Sequence, residues 1–142
     1  MATAAVEAWD ERWATPEGRA DWLAPHPAVA ALVPVLKARG AQHVLDLGCG
    51  VGRRLAEIWR VLKPGGLFQG TMLSKRDVQF GRGRAIAPDT FIRGSDPKAH
   101  PHFYCDLAGL TVLFAGFDLL SLTQEEQRRP GSWHWHILVE RR

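Results

Sequence analysis

The run Val44-Leu45-Asp46-Leu47-Gly48-Cys49-Gly50-Val51-Gly52-Arg53 sets the fold class. His43 to Leu47 has the content of a short buried strand, with Val44, Leu45 and Leu47 apolar. Glycines at 48, 50 and 52 let the backbone turn sharply and let a ligand approach the main chain closely. A helix is expected from about Arg53 to Lys63, where Leu55, Ile58, Trp59 and Leu62 follow the i, i+3, i+4, i+7 spacing. Its free N–H groups point back at whatever the loop holds.

Working outward, Pro64-Gly65-Gly66 stops that helix, and Leu67 to Leu73 reads as a second strand. On the other side, Ala28 to Lys37 reads as a helix with Val29, Leu32, Val33 and Leu36 on one face, Pro34 inside it and Gly40 just past its end. Val6 to Trp13 looks like a shorter amphipathic helix. From Ser74 to His102, the residues Gly81, Gly83, Pro88, Gly94, Pro97 and Pro101 predict a long loop. A loop of that length in a compact domain commonly forms a lid or binding surface. Asp106 is placed to cap a helix running to about Ala115. Phe117 to Leu122 and the alternating Trp133 to Val139 are the third and fourth strands. The expectation is one α/β domain over 1–142, with about four strands in a mixed sheet and helices on its faces. Its parts are an N-terminal helical region (1–40), the strand–glycine loop–helix–strand unit (41–73), a lid (74–105), and a C-terminal helix with two antiparallel strands (106–142).

Composition agrees with an ordinary globular chain: 46% of its 142 residues are hydrophobic and 23% charged, which excludes disordered and collagen-like classes. A formal charge of +3 is too mild to demand a nucleic-acid or membrane partner. Lys75, Arg76, Arg82, Arg84 and Arg93 are interspersed with Asp77, Asp89 and Asp96, and aromatic side chains do not interleave them in a stacking pattern. Neither nucleic acid nor membrane is therefore expected as a partner. Two cysteines cannot build a disulfide framework, and Asp10, Glu11 and Arg12 precede any apolar run, so a cytoplasmic protein without a signal peptide is expected.

The run 44–53 closely resembles the first motif of class I S-adenosylmethionine-dependent methyltransferases. Glu57 to Gly66 resembles the helix and turn before that family's fifth strand. Ala115-Gly116-Phe117 and the following strand resemble its last helix and sixth strand, and Trp133 to Arg141 its antiparallel final strand. The Trp9 to Trp22 region and Pro25-His26-Pro27 resemble the small-molecule branch that includes tellurite- and thiopurine-type enzymes. The resemblance implies a Rossmann-like fold, S-adenosylmethionine as cofactor and a small-molecule methyl acceptor. It implies that Gly48, Gly50 and Gly52 wrap the methionine part of the cofactor, with Cys49 as a small filler and Asp46 organising the amino-acid end.

The chain departs from that pattern in one respect. Gly52 is followed at once by the helix that the family places three strands later, so roughly 75 residues have no counterpart at about 25 per βα step. The acidic residue that binds ribose hydroxyls about 20 positions after such a loop is replaced by the neutral Gln69, a hydrogen-bonding candidate for the same diol. The slot left beside strand 67–73 would be closed by the 43–47 strand or by a second chain, and exposed apolar faces of Trp59 and its neighbours would favour a homodimer. The alternative to an enzyme is an inactive, dimerising remnant without a complete cofactor site.

His102 and Tyr104 are candidate general-base or substrate-positioning residues, because both types move or hold protons. Residues i and i+2 of a strand share a face. His100 and His102 with His134 and His136 could therefore meet in a metal site, or His134 and His136 could fill one face while Trp133 and Trp135 fill the other. No Asp/Glu–His ligand spacing supports the first option, so no metal ligand is assigned.

Overall fold

A computed structural model describes residues 11, 14–19, 27–41, 55–93 and 100–142. The glycine loop, the 43–47 strand and nearly all of the Val6 to Trp13 helix lie outside the described residues. The chain divides into two compact units, Met1–Leu47 with Gly94–His100, and Gly48–Arg93 with Pro101–Arg142.

In the first unit, α1 (Pro16–Arg19) is a single turn and α2 (Pro27–Ala38) is the expected helix, carrying Pro34 inside it. Its end is set by Gly40, at φ 64°. The Gly40 amide donates to the Lys37 carbonyl (3.0 Å) and the Ala41 amide to the Leu36 carbonyl (3.0 Å). That pair of bonds satisfies carbonyls the helix leaves open, and a left-handed residue makes it possible. Leu32 and Leu36 are half-buried, whereas Val29 and Val33 of the same stripe are exposed.

Among the described residues, the second unit holds a six-stranded mixed sheet in the order β2-β3-β4-β1-β6-β5. Its helices are α3 (Leu55–Val61) and α4 (Leu107–Leu113). Its strands are β1 (Leu67–Ser74), β2 (Arg84–Ala87), β3 (Thr90–Ile92), β4 (His102–Cys105), β5 (Phe117–Glu126) and β6 (Trp133–Arg141). The α/β class is as expected. The count of four strands is corrected, because the segment read as a loop contributes β2, β3 and β4. Pro88 and Asp89 break structure only locally: Asp89 takes φ 53° and closes a two-residue hairpin turn between β2 and β3. The Asp89 carbonyl then accepts the Tyr104 amide at 2.9 Å, tying the turn to β4.

β6 runs antiparallel to both β1 and β5. β4 runs parallel to β1 through Leu73 opposite Tyr104 and Ser74 opposite Cys105. β4 of this chain thus lies beside the carboxyl end of β1. Alternation along β6 sends Trp133, Trp135, Ile137 and Val139 to one face and His134, His136 and Leu138 to the other. Ile137 and Val139 join Ile58, Cys105, Leu110, Phe114 and Phe117 in the core, with Phe68, Met72 and Leu122 packed around it. Asp106 caps α4, accepting the Gly109 amide at 2.8 Å. Its carboxylate and that of Asp89 share Lys75, at 3.1 and 2.7 Å from the ammonium.

The charged end Glu140-Arg141-Arg142 is part of the fold. The Arg141 carbonyl accepts the Gly65 amide and its amide donates to the Gly66 carbonyl, each at 2.9 Å. Its guanidinium donates to the Leu62 carbonyl at the end of α3 and lies 4.1 Å from the Trp59 ring centre. A cation at a helix C-terminus is favoured by the helix dipole. Trp59, read as a possible oligomer contact, is 37% exposed. Its indole N–H also donates to the Gly116 carbonyl at 3.1 Å. No helix among the described residues is long and apolar enough to cross a membrane.

Candidate functional site: a cleft at the end of β1

A cleft of about 240 Å³ opens at the carboxyl end of β1. Three adjacent strands supply its floor. Leu73 on β1 pairs with Tyr104 on β4 and with His134 on β6, so all three side chains share one sheet face. His102, two residues before Tyr104, adds to that face. The turn Asp77 to Gln79 forms one wall, the β5–β6 loop with Arg129, Pro130 and Ser132 forms another, and Arg93 enters just past β3.

The two walls are fastened to each other. The Val78 amide donates to the Gly131 carbonyl at 2.9 Å. Asp77, 5% exposed, accepts the Gln79 amide on Oδ1 (2.8 Å) and the Trp133 amide on Oδ2 (3.0 Å). Its carboxylate is therefore occupied on both oxygens by the scaffold. Gly131, at φ 79°, lies so close to Val78 that an added Cβ would stand 2.5 Å from a Val78 methyl. The β5–β6 loop is shaped by that approach and by the Gly131 amide, which donates to the Glu126 carboxylate at 2.6 Å.

What remains for a ligand is rich in donors. An Arg93 Nη2 donates toward His102 Nε2 at 3.5 Å. A guanidinium can only donate, so His102 Nε2 is the accepting atom of this contact. Arg93 Nε is buried without a hydrogen-bond partner among the described residues. Ser132 Oγ and His134 Nε2 are 3.5 Å apart. The Tyr104 ring is held edge-on against Phe80 and Phe91, at 5.6 and 6.1 Å between centres. Burial raises its phenol pKa, with Asp77 adding to the rise and Arg93 opposing it. Tyr104 therefore keeps its phenol proton at neutral pH, available as a hydrogen-bond donor. The nearby Arg76 guanidinium lies 3.4 Å from the Trp133 ring centre and is engaged there.

The cleft brings together His102 and Tyr104, the two residues singled out for proton or positioning chemistry. Gln69 lies elsewhere. It is the third residue of β1, opposite Leu138, and four residues upstream of Leu73, roughly 13 Å along the strand. Asp46, Gly48, Cys49, Gly50 and Gly52 lie outside the described residues. His134 and His136 share one face of β6 opposite the tryptophans, and no group of three or more metal-ligating side chains is gathered among the described residues. In sequence, Asp77 and Arg93 belong to a basic segment that reads more readily as a solvated charged loop than as a lid over an anionic substrate, and Arg129 sits in a polar connection. No protein-family model and no curated protein matches the chain.

Proposed function

We propose that the protein is a shortened, Rossmann-like methyltransferase that moves a methyl group from S-adenosylmethionine to a small molecule held in the cleft beside Tyr104 and His102. The observation that carries this reading is the strand arrangement after Pro64-Gly65-Gly66. The strand that follows this turn and the strand that follows Ala115-Gly116 are separated by an antiparallel final strand, Trp133–Arg141. The antiparallel direction of that last strand is the one implied by the resemblance of residues 133–141 to class I enzymes. The cleft lies at the carboxyl end of β1, where α/β sheets bind ligands.

The reactive methyl group belongs to the cofactor, so the chain's task is positioning. Tyr104 holds a proton toward the acceptor, His102 is oriented by Arg93, and Leu73 supplies an apolar floor.

A second reading, a dimerising remnant without a complete cofactor site, draws support from Gln69. A residue far upstream of the strand's carboxyl end does not stand in for a ribose-binding carboxylate. Titration calorimetry of the full chain with S-adenosylmethionine separates the two. Micromolar binding, weakened at least tenfold by Gly48→Val and by Asp46→Ala, supports the enzyme. Absence of heat, with a dimer in sedimentation, supports the remnant. Affinity unchanged in both variants refutes the glycine-loop assignment.

A further inference from the structure

We propose that the cleft is a site for a small organic carboxylate, with Arg93 and Arg129 as its charge partners and Leu73, Val78 and Pro130 against its carbon skeleton. The inference deepens the methyltransferase reading by giving the acceptor a chemical class, and it rests on that reading only for the word acceptor.

Three observations converge. The first is charge. Two guanidinium groups and one carboxylate line the cleft, and the carboxylate of Asp77 is turned to the Gln79 and Trp133 amides on both oxygens. No ion pair to Arg93 or Arg129 occurs among the described residues. The charged residues that line the cleft are thus two cations and one anion, the excess sign a carboxylate site requires.

The second is the placement of the donors. Arg93 enters the cleft just past β3, on the side of His102 and Tyr104. Arg129 comes from the opposite wall and is exposed, so it meets the same anion from the solvent side.

The third is size and lining. About 240 Å³ is several times the volume of a water molecule yet below the usual range for drug-sized ligands. With apolar side chains on the floor and both walls, it suits a compact carbon skeleton bearing one carboxylate better than a bare inorganic anion.

The test uses the full chain, without cofactor, titrated with cyclohexanecarboxylate while cleft amides are followed by NMR. The uncharged cyclohexanecarboxamide and inorganic phosphate serve as comparison probes. The expected result is saturable shifts at Gln79, His102, Tyr104 and Ser132. The amide should bind at least tenfold more weakly, and added salt should weaken the carboxylate. Arg129→Gln, at an exposed position, should fold normally and lower carboxylate affinity at least tenfold, and Arg93→Gln should do the same. If Arg93→Gln fails to fold, Arg129→Gln alone decides. Equal binding of acid and amide, unchanged affinity in Arg129→Gln, or phosphate binding without carboxylate binding each overturns the proposal. Carboxylate binding in a protein that does not bind S-adenosylmethionine would sink the methyltransferase reading and leave this inference standing. The reverse pattern would sink this inference alone.

Discussion

Asp77 is the side chain on which the cleft depends, and its removal has a calculable effect. Asp77→Ala deletes two hydrogen bonds from backbone amides to a buried carboxylate, at 2.8 Å from Gln79 and 3.0 Å from Trp133. Bonds to charged groups contribute about 1.5–3 kcal/mol each, and a buried donor left open costs a similar amount. The walls of an open cleft admit water to part of the vacated space, so the lower end applies and the total is about 3 kcal/mol. That corresponds to more than a hundredfold in the unfolding equilibrium. For a chain of this length it lowers Tm by roughly 10 °C. Asp77→Asn keeps one acceptor and turns an amide donor toward the other N–H, so an intermediate loss of about 1.5–2 kcal/mol is expected. Urea unfolding followed by tryptophan fluorescence measures both, and hydrogen exchange at the Trp133 amide should accelerate in Asp77→Ala beyond the global change. A loss below 0.5 kcal/mol on the 3 kcal/mol scale worked above, with Trp133 still protected, would refute the clamp.

Gly131→Ala combines an unfavourable φ of 79° with a 2.5 Å approach to Val78, and should cost roughly 2 kcal/mol in chemical denaturation. Adding Val78→Ala should recover only the steric part, leaving the backbone strain. Cys105 is buried, and desolvation pushes its thiol up from 9.0 to about 12. At pH 8, in a Cys49→Ser background, it should react with a disulfide reagent at least a hundredfold more slowly in the folded than in the urea-unfolded protein. Because the folded state holds this proton more tightly, the associated stability is intact below pH 9 and is lost as pH rises from 9 toward 12. The Asp106 carboxyl is held below the usual 3.8 by the Gly109 amide and by Lys75. Its contribution is present above that value and fades as acid protonates the folded carboxylate, and Asp106→Ala should remove hydrogen-exchange protection from Gly109 at neutral pH.

Elements whose causes are local were legible in the sequence. Asp106 followed by an apolar helical pattern predicted a capped α4, and the Asp106 carboxylate takes the Gly109 amide as that spacing requires. Pro64-Gly65-Gly66 ended α3 and opened β1, and the Trp/His alternation of β6 assigned its two faces before any partner strand was known. Gly40 was placed at the end of α2 by the same kind of reasoning, since only its neighbours' carbonyls are involved. Short strands between glycines and prolines were not legible. β2 and β3 have few residues each, and their pairing depends on a positive φ at Asp89 that composition does not reveal. Nor does any local pattern reveal that Arg141 packs on Trp59 and bonds to the Leu62 carbonyl, contacts made across most of the second unit.

By itself, then, the sequence determined the α/β class, the capped helix, the central strands and the candidacy of His102 and Tyr104. The tertiary structure alone decided that these two residues share a cleft with Asp77, Arg93, Arg129 and His134. The physical reason is range. Caps, turns and alternation are set by atoms a few residues apart. The cleft requires β1, β4 and β6 to align Leu73 with Tyr104 and His134 at once, and that register is fixed by long-range strand pairing and the burial of the opposite face.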